Sequence, residues 1–121
     1  MGIVHINWYA TGFRGDKMAA GLAGIAPIAL RYGARSYQVH RFRDDRYKLL
    51  QTAEFETKLD FDRYWHGPEF LDFRVLASSW YQVPVLYGWS DLVAAGTLEL
   101  EDAVHASRGL ADAAPTGDLA G

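Results

Sequence analysis

The chain has 121 residues, with 12 Lys and Arg against 15 Asp and Glu, no Cys, and 50% hydrophobic residues. That length holds one domain, and the missing Cys excludes disulfides, thiolate metal sites and Cys nucleophiles. The net charge of -3 argues against general nucleic-acid binding.

No apolar run approaches the roughly 20 residues of a membrane helix. The N-terminus reads as a strand rather than as the basic start and apolar core of a secretory signal. A cytoplasmic protein with no membrane partner is expected. Charge and aromatics divide the chain. From Gly96 onward there are five acids (Glu99, Glu101, Asp102, Asp112, Asp118) and one base (Arg108), and every Trp, Tyr and Phe lies at or before Trp89. A segment without aromatics buries too little surface to offset its ordering entropy. The domain is therefore read as 1–95. Residues 96–121 are an acidic Ala/Gly-rich tail, in which 98–110 has the pattern of a short helix.

Residues 2–10 read as a strand, rich in β-branched and aromatic residues. Alternation puts Val4, Ile6 and Trp8 on one face and Ile3, His5, Asn7 and Tyr9 on the other. From Arg14 to Tyr32 the pattern is helical, with Met18, Leu22, Ile25 and Ala29 on one stripe and Gly33 as the stop. Pro27 removes a backbone hydrogen bond inside this stretch and predicts a kink or break.

Residues 36–43 and 46–55 alternate as two strands joined at Asp44-Asp45, a hairpin signal. Thr57 with Asp60 resembles a capping box. The helix it opens carries Phe61, Tyr64 and Trp65, and Gly67-Pro68 breaks it. Pro68 suits the first turn of a second piece, with Phe70, Phe73 and Ala77 as its inner stripe. Tyr81 to Trp89 reads as the last strand, with Pro84 favouring an edge position or a bulge.

The order βαββαβ gives an α+β, ferredoxin-like fold: a four-stranded antiparallel sheet with its helices on one face. The other face, expected to be half-apolar and aromatic-rich, needs a cover. A second copy, sheet to sheet, is the economical one. The expectation is a homodimer closing into an α/β barrel.

The segments Val4-His5-Ile6-Asn7 and Phe61-Asp62-Arg63-Tyr64-Trp65-His66-Gly67-Pro68-Glu69-Phe70 resemble the dimeric α/β-barrel superfamily. It includes antibiotic-biosynthesis-monooxygenase-like proteins, haem-degrading monooxygenases and small aromatic polyketide cyclases. The resemblance spans about 1–95. It implies an active-site Asn on the first strand, matched by Asn7, and a Trp before the mid-helix break. Aligned on Gly67-Pro68, Tyr64 takes that place and Trp65 is shifted by one. The haem-degrading members place a His ligand further along, where this chain has Phe73 or Arg74. Haem ligation is therefore not expected, and no cofactor is called for.

Polar residues on apolar elements name the remaining candidates. Asn7 sits mid-strand, where an unpaired amide costs roughly 1–3 kcal/mol. It either donates to a substrate oxyanion or pairs across a dimer interface. His5 and His66 are candidate proton carriers, or a satisfied interface His and a helix-end His. His40 is read as pairing with Gln38 or with a neighbouring strand. The four His residues have no metal-ligand spacing. The aromatics either line a pocket or form core and interface.

The expected function is binding of an aromatic or polycyclic small molecule, with cofactor-independent monooxygenation as the expected chemistry. Asn7, His5 and His66 are the catalytic candidates, and Tyr9, Phe61, Tyr64, Trp65, Phe73 and Tyr81 the substrate-binding ones. The alternatives are a polyketide cyclase or isomerase, and a non-catalytic module that assembles through its acidic tail.

Overall fold

A computed structural model of the chain describes residues 1–98. The expected helix 98–110 and His105 lie outside the described residues, Leu98 apart. The elements are β1 (Gly2–Tyr9), α1 (Gly15–Ile25), a 3-10 segment (Ala26–Tyr32), β2 (Ala34–Arg41), β3 (Lys48–Phe55), α2 (Lys58–Trp65), α3 (Pro68–Leu76) and β4 (Leu86–Ser90). The strands form one antiparallel sheet in the order β2-β3-β1-β4.

Local chemistry explains the joints. Pro27 has no N–H to give to the Ala23 carbonyl, and α1 tightens at Ala26 into 3-10 geometry with the Pro in its first turn. Gly33 ends that segment at φ +97, a left-handed cap that favours glycine. The Thr57 side chain accepts from the Asp60 N–H at 3.3 Å and caps α2. At Gly67, a Cβ would stand 2.6 Å from the Tyr32 hydroxyl and 2.8 Å from the Arg63 carbonyl. The break between α2 and α3 therefore requires glycine. The last strand is shorter than expected: it starts at Leu86, after Pro84. Tyr81 joins the sheet only through an isolated bridge to Ala10.

The helices cover one face of the sheet. Val4, Ile6 and Trp8 of β1 and Leu49, Gln51, Ala53 and Phe55 of β3 are buried there, against Met18 and Leu22 of α1, Phe61 and Tyr64 of α2, and Phe70 of α3. The 3-10 segment and β2 close the side next to β3. The other face carries Ile3, His5, Asn7 and Tyr9 of β1, with their cross-strand partners Glu54, Thr52, Leu50 and Lys48. Gln38 and His40 of β2 share this face, as do Leu86, Gly88 and Ser90 of β4. This corrects the expectation of an aromatic-rich open face. Strand alternation turns Trp8, Tyr87 and Trp89 toward the helices and leaves on the open face Tyr9 and, just past β2, Phe42, whose ring centroid is 4.5 Å from Lys48 Nζ.

Candidate functional site

The helix side of the sheet holds a buried polar chain. The Trp8 indole N–H donates to Gln51 Oε1 at 3.0 Å, Gln51 Nε2 donates to the Tyr64 hydroxyl at 3.0 Å, and that hydroxyl donates to the Ile25 carbonyl at 2.7 Å. Ile25 ends α1, where carbonyls lose their helical donors. Each group in the chain is thus satisfied, as burial demands. Burial pushes the Tyr64 phenol far above its ordinary pKa, so it stays protonated and holds the donor role.

Around Trp8 the aromatics interlock. Its ring meets Tyr81 edge-on at 5.0 Å, and Trp65, Phe70 and Phe73 at 6.2, 6.2 and 6.3 Å. These are ordinary separations for favourable aromatic pairs. One cation enters this cluster. The Arg74 guanidinium lies 4.1 Å from the Trp65 ring centroid and 5.1 Å from that of Phe70. Its Nη1 is buried without a hydrogen-bond partner among the described residues, the one such side-chain atom there. Desolvation lowers the Arg74 pKa and raises that of Tyr81. Arg74 and Trp65 are both half-buried, so solvent reaches the edge of this corner.

A second feature lies on the same side. A groove of about 350 Å³ runs between α1 and α3, with Gly21, Gly24 and Ile25 on one side and Phe73, Leu76 and Trp80 on the other. Glu69 and Asp72 stand in its lining. The Tyr32 hydroxyl donates to Glu69 Oε2, and this bond holds the Glu69 carboxyl below its usual pKa. Gly21 is explained by packing, since a Cβ would stand 2.8 Å from the Phe73 ring. Gly24 is not: a Cβ there would meet nothing within 4 Å, although Gly inside a helix costs about 1 kcal/mol relative to Ala.

The sheet divides the residues expected to form one site. Phe61, Tyr64, Phe73 and Tyr81 are buried on the helix side, and Trp65 is half-buried there. His5, Asn7 and Tyr9 lie on the open face. His5 Nε2 is 2.8 Å from Ser90 Oγ, and the Tyr9 hydroxyl donates to Asp45 at 2.7 Å. Asn7 is exposed, and no side chain brings it into contact with Trp65. The residue of β1 that does meet Trp65 is Trp8, one position on, because successive strand residues point to opposite faces. His66 is exposed at the end of α2, joined to its surroundings through its backbone N–H. His40 pairs with Gln38 at 2.9 Å, the first of its two expected partners.

Gln51 and Arg74 were missed as site residues, and each had a signal. Gln51 is the lone polar residue on the inward register Leu49, Gln51, Ala53, Phe55. Arg74 falls four residues after Phe70, on the stripe of a helix otherwise read as apolar. Among the described residues, no group of three or more His, Cys, Asp or Glu is placed to hold a metal ion. No helix there is long and apolar enough to cross a membrane.

A four-stranded antiparallel sheet with all helices on one face, in the order βαββαβ, defines an α+β, ferredoxin-like protein. Solved structures of antibiotic-biosynthesis-monooxygenase-like proteins share that fold, as the resemblance read from the sequence implied. A Nitrosomonas europaea protein provisionally named an antibiotic biosynthesis monooxygenase matches at TM-score 0.70 and 12% identity, over 78% of this chain and 100% of its own. A variant of SnoaB, a cofactor-independent oxygenase from Streptomyces nogalater, matches at TM-score 0.65 and 17% identity, over 78% of this chain and 95% of its own. A Pseudomonas aeruginosa protein matches at TM-score 0.68 and 15% identity, over 77% and 94%. At these identities the likeness is one of fold. No protein-family model and no curated protein matches the sequence.

Proposed function

We propose that this chain is a homodimeric oxygenase that needs no cofactor and takes a hydroxylated aromatic molecule at the Trp65–Arg74 corner. The carrying observation is Arg74 Nη1, a buried donor left without a partner between two aromatic rings. A buried donor of this kind costs about 1–3 kcal/mol unless something accepts from it. An ionised substrate oxygen is the acceptor that fits a fixed cation. The same cation favours the ionised form of an arenol by direct attraction, and the ionised arenol is the species that gives an electron to O₂. The ring carbon that bears hydrogen then takes one oxygen atom as a carbonyl, and the second oxygen leaves as water. The rings beside the buried Nη1 shield that nitrogen from water, which strengthens its attraction for an ionised oxygen.

The fold shared with SnoaB supports this reading. The open sheet face supports the dimer: Ile3, Leu50 and Leu86 lie on it with no cover among the described residues. In this account His5, Asn7 and Tyr9 belong to the interface, with the Asn7 amide pairing across it. The test is incubation with a panel of di- and trihydroxyarenes, with and without air, for the native chain and Arg74→Gln. Oxygen uptake with carbonyl formation, lost in Arg74→Gln while the thermal midpoint is kept, is the expected result. Conversion without oxygen uptake would replace the reading with cyclisation or isomerisation. An unchanged rate in Arg74→Gln would remove Arg74 from the site.

A further inference from the structure

We propose that the groove between α1 and α3 is a second binding site, for an organic cation with a flat apolar body, such as an aromatic ammonium. Three features of the chain converge on it. The first is shape and lining: about 350 Å³, open to solvent, with the Phe73 and Trp80 rings and the Ile25 and Leu76 side chains offering apolar surface. The second is charge. Among the described residues the lining contains two carboxylates, Glu69 and Asp72, and no cationic side chain. Glu69 is kept ionised by the Tyr32 hydroxyl and by the attraction of nearby Arg31, which stands outside the lining. Asp72 is in no ion pair among the described residues. The third is Gly24. Its helix position faces the groove, it is exposed, and no side chain needs the space its missing Cβ leaves. A ligand lying against α1 would need that space.

The chemistry selects a cation over an anion or a neutral ring. A flat body lies over the α1 backbone at Gly24, against Leu76 and the edges of the Phe73 and Trp80 rings, which themselves close directly on Gly21. Its ammonium then reaches Glu69 and Asp72 at the rim. The Trp80 ring already accepts a cation on the α1 side, where Lys17 Nζ lies 5.4 Å from its centroid. The groove is distinct from the Arg74 corner. Phe73 stands between them, packing edge-on against Trp8 and Phe70 while it also lines the groove. An anion beside Arg74 and a cation beside Glu69 therefore call for opposite ligand charges at neighbouring places.

Calorimetric titration of the full chain with 2-naphthylmethylammonium, 2-naphthylmethanol and 2-naphthoate tests the proposal. The ammonium should bind roughly tenfold more tightly than the alcohol, and the carboxylate least. Glu69→Gln combined with Asp72→Asn should bring the ammonium and the alcohol to equal affinity. Gly24→Leu should weaken the ammonium about tenfold or more while the thermal midpoint stays or rises, since Leu fills open space and favours the helix. Arg74→Gln should leave ammonium binding unchanged, whatever it does to oxygen uptake. Three results would each overturn the proposal: no ammonium binding to the native chain, no charge preference, or ammonium affinity indifferent to Gly24→Leu. A change of oligomeric state in Gly24→Leu would overturn it too, by assigning the groove to packing between copies.

Discussion

The two faces of the sheet are built from the same strands and behave oppositely. On the helix side, Trp8, Gln51 and Tyr64 are almost wholly buried, and each polar atom of the chain they form has a partner. On the open side, His5, Asn7, Thr52, Gln38 and His40 alternate with a few apolar residues, and their hydrogen bonds are local or short in sequence span except for His5 to Ser90. The difference follows from period-two alternation acting on one sequence. A shift of one residue along β1 exchanges Asn7 for Trp8 and a solvated amide for an indole in the core. Chemistry that needs a dry environment belongs to the first face. A surface that the proposed dimer would cover belongs to the second.

If this division is right, substitutions should cost stability on one face and association on the other. The largest effect is expected for Trp8→Ala. It opens a cavity among Trp65, Phe70, Phe73 and Tyr81 and orphans the Gln51 amide oxygen, so denaturant unfolding should show a loss of about 3–5 kcal/mol. Gln51→Leu keeps the volume but leaves the Trp8 indole N–H without an acceptor. Chemical denaturation should show a loss of roughly 1–3 kcal/mol, and a loss near zero would mean the polar chain is dispensable.

Alkaline unfolding sharpens the comparison further. The folded Tyr64 phenol has a raised pKa, so the folded state holds a proton that the unfolded state releases. The corresponding stabilisation is complete below about pH 10, the ordinary tyrosine value, and is lost as pH rises above it toward the folded pKa. Native protein should therefore lose stability above about pH 10, with a smaller slope in Tyr64→Phe when thermal midpoints are compared across that range. An identical slope would show that Tyr64 is not the group responsible.

On the open face, Leu50→Asp should leave unfolding within about 0.5 kcal/mol of native at the level of the single chain. In sedimentation the native chain should run as the proposed dimer and Leu50→Asp as a monomer. Asn7→Ala should cost the single chain less still, and a loss of several kcal/mol there would contradict its placement on the open face; its effect should fall on association, since its amide is proposed to pair across the dimer.

Much of this arrangement was legible in the sequence. Alternation in β1 separated Val4, Ile6 and Trp8 from His5, Asn7 and Tyr9 correctly. Pro27, Gly33, Thr57 and Gly67-Pro68 marked real joints because each acts through its own backbone geometry. The site was less legible. Asn7 drew attention as a polar residue mid-strand, yet its neighbours in space are set by which face the helices cover, and no local pattern carries that. Arg74 owes its position to the rings of Trp65 and Phe70, one of them on another helix. Its unpaired nitrogen exists only once those elements have packed. Gln51 lay on an inward register beside Leu49 and Ala53, and that anomaly was readable. Its partners, Trp8 on β1 and Tyr64 on α2, were not.

The most direct test is to follow the indole N–H signals of Trp8 and Trp65 and the side-chain amide of Asn7 by NMR. A hydroxyarene that supports oxygen uptake is added without air. The account predicts that the Trp65 indole shifts with ligand, that Trp8 follows through their ring contact, and that the Asn7 amide is unchanged. A shift at Asn7 with Trp65 unmoved would place the ligand on the open face and contradict it.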